Sequence, residues 1–452
     1  MHTITIPAVI CKGNYRCPTT VFPALTTSLF IGILNAVPQD PLHLLCIEPR
    51  FPGRLGAVAD WLVRRRGYRC QFYHHSADPQ SSWPSSVGNG LELVPFNVGG
   101  VGREDSVAWT RYLERGICYA YGCWEILTAR RPNPVDLVLG RSAGLGSTLF
   151  FPAFSRGIPV VNLFDYYYHP HAFDLTGEMP KDISADYFHW RRAANAMDLL
   201  DLENGTTAWA PTNWQRDLYP AEYRHDFTVL HDGVDTRRFA RRADVPRVIA
   251  GRSISRETRV VTFVARRTDR VRGFDRFLAL ANRLADLSNV LFVVAGGAIA
   301  ERGFDIEFFG KNYQQHVLAK TPPHDPNQFW FLENVSQTTI AEILAASDLH
   351  VYPSRPYPVS RSLIEAMAAG CVVLAWDTDA IREFITHSQT GLLAPSHDLD
   401  AAVKLARAAL DDPTGYRPLG DAAATLVRNQ YAQDVTLPKL AEFFNQLARS
   451  NR

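Results

Sequence analysis

Short apolar segments alternate with helical segments in two successive series, and this alternation constrains the fold of the 452-residue chain more than any other feature. Strands that alternate with helices form β–α–β units, in which the strands run parallel and the crossovers are right-handed. In the first series, strands are predicted at residues 42–47, 71–74, 91–96, 135–140 and 159–164, and helices at 55–66 and 106–130.

The second series predicts strands at residues 259–265, 290–295, 329–332, 349–352 and 371–375, with helices at 274–286, 338–346 and 360–369. The fold class is therefore α/β, with two Rossmann-like, doubly wound parallel-sheet domains at 42–240 and 257–414. Residues 1–41 are predicted to be an N-terminal extension, 241–256 a linker, and 415–452 helices that pack back on the first domain. In such folds ligands bind at the carboxyl ends of the strands, here in a cleft between the domains.

Composition places the chain among soluble globular proteins, because 46% of its residues are hydrophobic and 21% are charged. The formal net charge of +1 argues against a dedicated nucleic-acid binder. Neither a signal peptide nor a convincing membrane span is evident, so a cytoplasmic location is predicted, and a peripheral contact with the inner membrane face stays open. The seven cysteines lack metal-ligand spacing, which predicts reduced thiols and no metal site.

Residues 360–375 read as a loop, a short helix and a buried strand. Ser360 is the predicted N-cap, Gly370 the predicted C-cap, and Glu365 is a carboxylate on an otherwise apolar segment. A helix N-terminus suits a phosphate, and a nearby carboxylate suits ribose hydroxyls. The alternative is an amphipathic helix whose glutamate faces water, and this segment by itself does not decide between the two.

Several separated motifs together resemble one known family. Residues 211–215 (PTNWQ) and 231–235 (HDGVD) resemble its passage at the end of the first domain, and 264–266 with 272–273 resemble its "GR … KG" pair. Residues 365–370 (EAMAAG) match the helix signature of that family, and Glu383 with residues 391–395 matches the segment that follows it. Residues 51–54 (FPGR) match the first loop. The chain thus resembles the nucleotide-sugar-dependent glycosyltransferases of family 4, which have the two-Rossmann GT-B fold.

The resemblance implies transfer of a sugar from a nucleoside-diphosphate sugar with retention of anomeric configuration, without a required cofactor or metal ion. It assigns catalysis to Arg266, Arg272 and Glu365. Contacts with the donor are assigned to Gly53, Arg266, Arg272, Leu332, Tyr357, Val359, Ser360, Arg361 and Glu365.

The two arginines fit this chemistry, because negative charge develops on the departing diphosphate and fixed cations stabilise it. In the family an arginine and a lysine act here, so Arg272 keeps the charge and changes the geometry. The alternative is that both are solvated, since Arg267 and Arg270 lie between them. Gly53 would let backbone N–H groups approach the same diphosphate, or it merely forms a strand-to-helix turn.

The sequence departs from the family pattern on the sugar side. Where the family commonly has a second glutamate upstream of Glu365, this chain has Tyr357, and Arg361 replaces an aromatic residue of the related branch. Both changes leave the identity of the sugar open.

A second departure concerns the expected acceptor side. Many family members have a sugar-contacting histidine where this chain has Arg141 or Ser142. Asp165 ends a strand and is a candidate for orienting the acceptor. His169 follows the aromatic run and either faces the acceptor or has a packing role.

Two other functions remain open at this level: a nucleotide-sugar epimerase on the same fold, and a catalytically lapsed protein that binds a nucleotide or a partner. The sequence does not define the acceptor, because the loops that bind acceptors have no motif that identifies the acceptor from one protein to the next. A glycan, a lipid-linked sugar, a protein side chain, a small molecule or a modified nucleic acid are all compatible.

Overall fold

The computed structural model describes residues 41–75, 89–99, 110–130, 134–142, 145–146, 148–151, 157–169, 185–240, 247–298 and 312–450. The predicted extension, apart from Pro41, and the predicted helical residues 106–109 lie outside these ranges, as do Cys11 and Cys17. The described cysteines, Cys46, Cys70, Cys118, Cys123 and Cys371, are free thiols.

The first described sheet is parallel and has seven strands in the order β3-β2-β1-β4-β5-β6-β7. Its strands are β1 (His43–Ile47), β2 (Arg69–His75), β3 (Leu91–Phe96), β4 (Leu137–Arg141), β5 (Val160–Leu163), β6 (Thr207–Ala210) and β7 (Phe227–Val229). Since the chain leaves β1 toward one edge and returns at β4 on its other side, the crevice of the sheet lies at the carboxyl ends of β1 and β4.

Helices flank this sheet because their apolar faces must be buried against it. They are α1 (Leu55–Arg66), α2 (Arg111–Arg130), α3 (Ala185–Ala194), α4 (Ala196–Glu203) and α5 (Asn213–Asp217). Helix α1 buries Leu55, Val58 and Leu62 in the core below β1 and ends at Gly67, whose φ of 69° forms a left-handed cap.

The second described sheet repeats the topology, with six parallel strands in the order β12-β11-β10-β13-β14-β15. A small antiparallel pair, β8 (Val248–Ile249) and β9 (Arg252–Ser253), precedes it. The strands are β10 (Arg259–Arg267), β11 (Val290–Gly297), β12 (Phe329–Leu332), β13 (Leu349–Tyr352), β14 (Val372–Asp377) and β15 (Leu392–Pro395). Two doubly wound parallel sheets were the predicted architecture, and this prediction is confirmed.

The helices of the second half are α6 (Phe274–Asn282), α7 (Tyr313–Lys320), α8 (Gln337–Ala346), α9 (Arg361–Ala368), α10 (Asp379–Arg382) and α11 (Leu399–Asp411). Helix α9 corresponds to the short helix expected after Ser360. All of its residues except Arg361 are buried, and Leu363, Ile364 and Met367 lie in the core against β13 and β14. This packing makes the position of Glu365 on α9 rigid.

The C-terminal segment contains two helices that contact different sheets, α12 (Pro413–Gln430) and α13 (Gln433–Ser450). Helix α12 packs in the second half through Ala423 and Val427, whereas α13 packs under the first sheet through Leu437, Leu440 and Phe444. Between them the chain pairs with the end of the first half, because the N–H of Val234 donates to the carbonyl of Tyr431 at 2.9 Å. Only α13 therefore returns to the first sheet.

Candidate functional site

Arg272 lies at the carboxyl edge of the second sheet, where the loops after β10 and β13 meet. Its Nη1 donates to the Tyr352 hydroxyl at 3.2 Å and to the Pro358 carbonyl at 3.0 Å. Burial would lower the pKa of Arg272, but Tyr352 and Asp269 outweigh it and the pKa is raised. The guanidinium is therefore a fixed cation at this edge.

The neighbouring Gly273 is required by a close approach of two loops. Its φ is 77°, and a Cβ at this position would lie 2.1 Å from the carbonyl oxygen of Pro353. No side chain fits there without moving backbone, so the glycine fixes the distance between the loop of Arg272 and the loop after β13.

Arg266 is the second-last residue of strand β10, and its side chain is exposed. The register of β10 against β11 shifts between Val264 and Arg267. Such an irregularity redirects side chains at a strand end, and here it falls at the edge where Arg272 lies. The two predicted phosphate-binding arginines thus share one edge of the sheet.

Glu365 is 6% exposed, and within the described residues its carboxylate has no hydrogen bond or ion pair. Burial raises its pKa from 4.5 to about 7, against the opposing effect of Arg361 and Arg238. The carboxylate oxygens are not fully enclosed, so they keep a small contact with solvent that a ligand can replace. The group is well placed to accept hydrogen bonds from a ligand.

The start of α9 completes this part of the site. Ser360 is the N-cap by position, but its hydroxyl contacts the Ser362 hydroxyl at 2.6 Å and does not cap the helix, while its N–H donates to the Tyr352 hydroxyl at 2.8 Å. Val359 and Leu332 are half-buried and pack on the core of the second half. Tyr352 was not predicted, although its place at the end of a strand was a usable signal.

Tyr357 sits between the two halves of the chain. Its ring lies 5.3 Å from the Arg272 guanidinium carbon and 4.7 Å from the ring of Tyr166 in the first half. Where the family pattern has a carboxylate, this chain therefore has an aromatic ring in contact with the cation of the expected phosphate site.

Charged side chains form a cluster at the crevice of the first sheet. Arg54 donates to Asp165 at 2.9 Å and to Asp232 at 3.1 Å, and Arg141 donates to Asp165 and, at 2.7 Å, to Glu48. Burial opposes ionisation of Asp165, but Arg141 and Arg54 lower its pKa. We call Glu48, Arg54, Arg141, Asp165 and Asp232 the crevice cluster.

Gly53 lies directly against the Glu48 carboxylate of this cluster. A Cβ at Gly53 would lie 2.2 Å from Oε2 of Glu48, and the same oxygen accepts the Leu55 N–H at 2.9 Å. The positive φ of 53° and the missing side chain let the Glu48 carboxylate fold under the loop and satisfy the start of α1.

Two of the predicted acceptor residues have other contacts. Ser142 is fully buried, and its hydroxyl oxygen lies within hydrogen-bond distance of two carboxylates, 2.5 Å from Asp198 and 2.8 Å from Asp201, so the prediction that it faces an acceptor is wrong. His169 is half-buried, and its Nε2 donates to the Leu218 carbonyl at 2.7 Å, which is the packing alternative. Arg141 and Asp165 do lie at the crevice, bound to each other.

Further contacts join the two halves. Asp232 accepts a hydrogen bond from Arg361, at the start of α9, at 3.0 Å. Glu383 accepts the Asn213 N–H at 3.1 Å and also the Trp214 N–H, so a carboxylate of the second half caps helix α5 of the first.

No group of three or more potential metal-ligating residues occurs within the described ranges. Among the helices that the structure describes, none has the length and apolar character needed to span a membrane.

Two family models match consecutive parts of the chain. The model of the glycosyl transferase family 4 group matches residues 66–239, and the model of glycosyl transferases group 1 matches residues 248–426. An alpha-maltose-1-phosphate synthase from Mycolicibacterium smegmatis is 31% identical over 177 residues, which cover 39% of this chain and 43% of that protein. An N-acetyl-alpha-D-glucosaminyl L-malate synthase from Bacillus anthracis is 28% identical over 116 residues, covering 26% and 30%. The chain spans half or less of the length of these curated relatives.

Solved structures share the fold at low identity. Sucrose-phosphate synthase from Thermosynechococcus elongatus superposes with a TM-score of 0.70 at 14% identity, covering 90% of this chain and 100% of that one. The Anabaena protein HepE in complex with UDP and glucose gives a TM-score of 0.64 at 15% identity, with the same coverage. From the two consecutive family matches, the paired Rossmann-like sheets and these structures, the chain belongs to the GT-B glycosyltransferases of the family 4 type.

Proposed function

We propose that this protein transfers a glycosyl group from a nucleoside-diphosphate sugar to an acceptor bound in the cleft between the two sheets, with retention of anomeric configuration. The observation that carries the proposal is Glu365, a carboxylate that is buried at the carboxyl edge of the second sheet and has no protein hydrogen bond within the described residues.

The hydroxyls of a ribose ring are suitable hydrogen-bond donors to the Glu365 carboxylate. Two neighbouring hydroxyls can donate to the two oxygens of one carboxylate, and these hydrogen bonds favour the ionised form. Donor binding is therefore expected to lower the raised pKa of Glu365. The rigid packing of α9 holds the carboxylate in place before the donor arrives, which reduces the entropy lost on binding.

Arg272 and Arg266 would then meet the diphosphate. The bond between the sugar and the diphosphate breaks with both electrons leaving on oxygen, so negative charge grows on the phosphate in the transition state. Cations that are already fixed stabilise that charge without reorganisation. Arg272 is held by Tyr352 and Pro358, and this arrangement supports departure of the diphosphate without a required metal ion.

Retention fits a mechanism in which the acceptor attacks from the face that the diphosphate leaves. The departing phosphate oxygen can then take the proton of the acceptor hydroxyl. Such a mechanism needs no protein nucleophile beneath the sugar, and the aromatic Tyr357 in place of a carboxylate is compatible with it.

UDP sugars are the first donors to test, because structures of the similarly folded HepE hold UDP and UDP-glucose. A thermal-shift screen should compare nucleoside-diphosphate sugars on the wild type and on Glu365→Ala. We expect at least one donor to raise the melting temperature of the wild type and to have a much smaller effect on the variant. If no donor stabilises the wild type, or if the variant responds equally, the assigned donor site is wrong.

Nucleotide release separates the remaining functions. A donor that binds and releases nucleotide only with an acceptor supports transfer. Free epimerised sugar without an acceptor would instead indicate an epimerase, and binding without turnover by any donor would indicate a lapsed enzyme.

A further inference from the structure

A pocket of about 200 Å³ opens between the two halves of the chain, beside the proposed donor site. Trp214 of helix α5 lines it from the first half. From the second half it is lined by residues at the ends of β14 and β15, among them Asp377, Thr378 and Ser396, and by Pro356. Pro356 directly precedes Tyr357, so the pocket adjoins the loop that contacts Arg272.

The aromatic wall of this pocket is held in place from both sides of the domain interface. The Trp214 ring stacks on Tyr166 with a centroid distance of 6.3 Å and an interplanar angle of 28°, and the backbone N–H of Trp214 donates to the Glu383 carboxylate. An aromatic side chain with convergent polar groups is the usual composition of a small-molecule site. A sugar ring offers C–H groups to such a wall and hydroxyls to the polar groups.

The positive and negative side chains of the polar wall balance each other. Arg382 donates to both oxygens of Asp377, at 2.7 and 2.8 Å, and to Asp379 at 3.0 Å. With Arg276, the lining contains two arginines and two aspartates as fixed charges. A phosphate group would require an excess of positive charge, whereas a neutral polyol can exchange hydrogen bonds with carboxylates and guanidinium groups alike.

Thr378 supplies an independent indication of a ligand. The residue is 6% exposed, it lines the pocket, and its hydroxyl is buried without a hydrogen-bond partner among the described residues. Buried hydroxyl groups are nearly always hydrogen-bonded, and the helix α10 that follows is not capped by it. A hydroxyl-rich ligand in the pocket provides that partner.

We propose that this pocket is a subsite for a neutral saccharide unit of the acceptor. The inference rests on the proposed function, since a saccharide bound here would lie next to the donor loop. Of the acceptor classes that the sequence left open, this proposal selects a glycan or another carbohydrate. Trp214 and Thr378 are the residues that recognise it.

The test uses the full chain and three probes: the methyl glycosides of glucose, galactose and mannose. Their binding is measured by saturation-transfer NMR, and UDP binding is measured by calorimetry on the same samples. The variants are Thr378→Val, which keeps the side-chain shape, and Trp214→Phe, which keeps a ring. The controls are Thr425→Val on α12 and Trp61→Phe on α1.

We expect at least one glycoside to bind the wild type and both controls. Thr378→Val and Trp214→Phe should weaken that binding by about threefold to tenfold, the effect of a lost hydrogen bond or ring contact, without changing UDP affinity. The inference is overturned if no glycoside binds the wild type, or if the pocket variants bind it as tightly as the controls. If the wild type does not bind UDP, the proposed donor site itself is refuted.

Discussion

Asp232, in the last segment of the first half, accepts a hydrogen bond at 3.0 Å from Arg361, the first residue of the helix that carries Glu365. The same carboxylate is bound by Arg54, whose guanidinium also reaches Asp165. The crevice cluster of the first sheet is thereby connected to the proposed nucleotide-binding helix of the second. We infer that this connection sets the relative position of donor and acceptor sites.

Asp232→Ala should destabilise the protein strongly. The Asp232 side chain is 1% exposed and pairs with two partly exposed arginines, so its removal leaves Arg54 with Asp165 alone and takes the Asp232 carboxylate from Arg361. Breaking a fully buried pair costs about 3 kcal/mol or more, and the partial exposure of both arginines reduces the expected loss to about 2 kcal/mol. Chemical denaturation measures the loss, and Asp286→Ala, at the exposed pair with Arg407, is the matched control with a small expected change. Equal effects of the two substitutions would contradict the role given to Asp232.

Stability should fall as pH rises through the range set by Glu365. The pKa of Glu365 is about 7 in the folded protein and 4.5 in the unfolded chain. Between these two pH values the unfolded chain releases a proton that the folded chain retains. The contribution is fully present below about pH 4.5 and is lost by about pH 7, a difference on the order of 3 kcal/mol at 1.36 kcal/mol per pKa unit.

Glu365→Gln removes this titration. Relative to the wild type, the variant should gain stability above pH 7, and the difference should shrink toward pH 4.5. Denaturation curves across this range measure it. A difference that is constant with pH would show that Glu365 titrates normally.

Arg272→Ala should lower turnover much more than donor affinity. The side chain is fixed where charge grows on the leaving diphosphate, and removing one such donor typically costs a factor of about 10² to 10³ in rate. Steady-state kinetics with the donor found by screening give kcat and KM. Arg267→Ala is the control, because Arg267 ends strand β10 just before the loop of Arg272 and pairs with Asp269 at 3.5 Å. An unchanged kcat in Arg272→Ala would remove Arg272 from the mechanism.

Glu383→Ala should loosen the contact between the two halves at helix α5. The carboxylate accepts two backbone N–H groups, those of Asn213 and Trp214, and no other residue of the described chain caps them from the second half. Amide hydrogen exchange at these two positions should accelerate about tenfold, which corresponds to a loss of about 1.4 kcal/mol. Protection that stays at the wild-type level would mean that α5 is held by its own packing.

Much of the fold was readable from the sequence because the strands are short runs rich in apolar residues that alternate with helical segments. The segments 91–96, 329–332 and 349–352 were predicted with the bounds that the structure shows. Short strands with few apolar residues, such as β7 (Phe227–Val229), were missed. The C-terminal segment was predicted as one unit, because its break at Tyr431 depends on pairing with the distant Val234.

The candidate site was only partly readable, for a related reason. Glu365 and Arg272 stand in local motifs, and their surroundings follow from neighbouring residues. The partners of Arg141 are Glu48 and Asp165, which are far away in the chain and meet it only once β1, β4 and β5 are adjacent. Ser142 was a candidate for the acceptor side, but Asp198 and Asp201 of α4 cover it.

Isothermal titration of UDP into the wild type and into Glu365→Ala tests the central claim most directly, with Glu442→Ala on the exposed face of α13 as control. We expect one binding site on the wild type and the control, and at least about tenfold weaker binding to Glu365→Ala, which corresponds to the loss of two hydrogen bonds to a charged group. Equal affinity of all three proteins for UDP would contradict the claim that Glu365 holds the nucleotide of the donor.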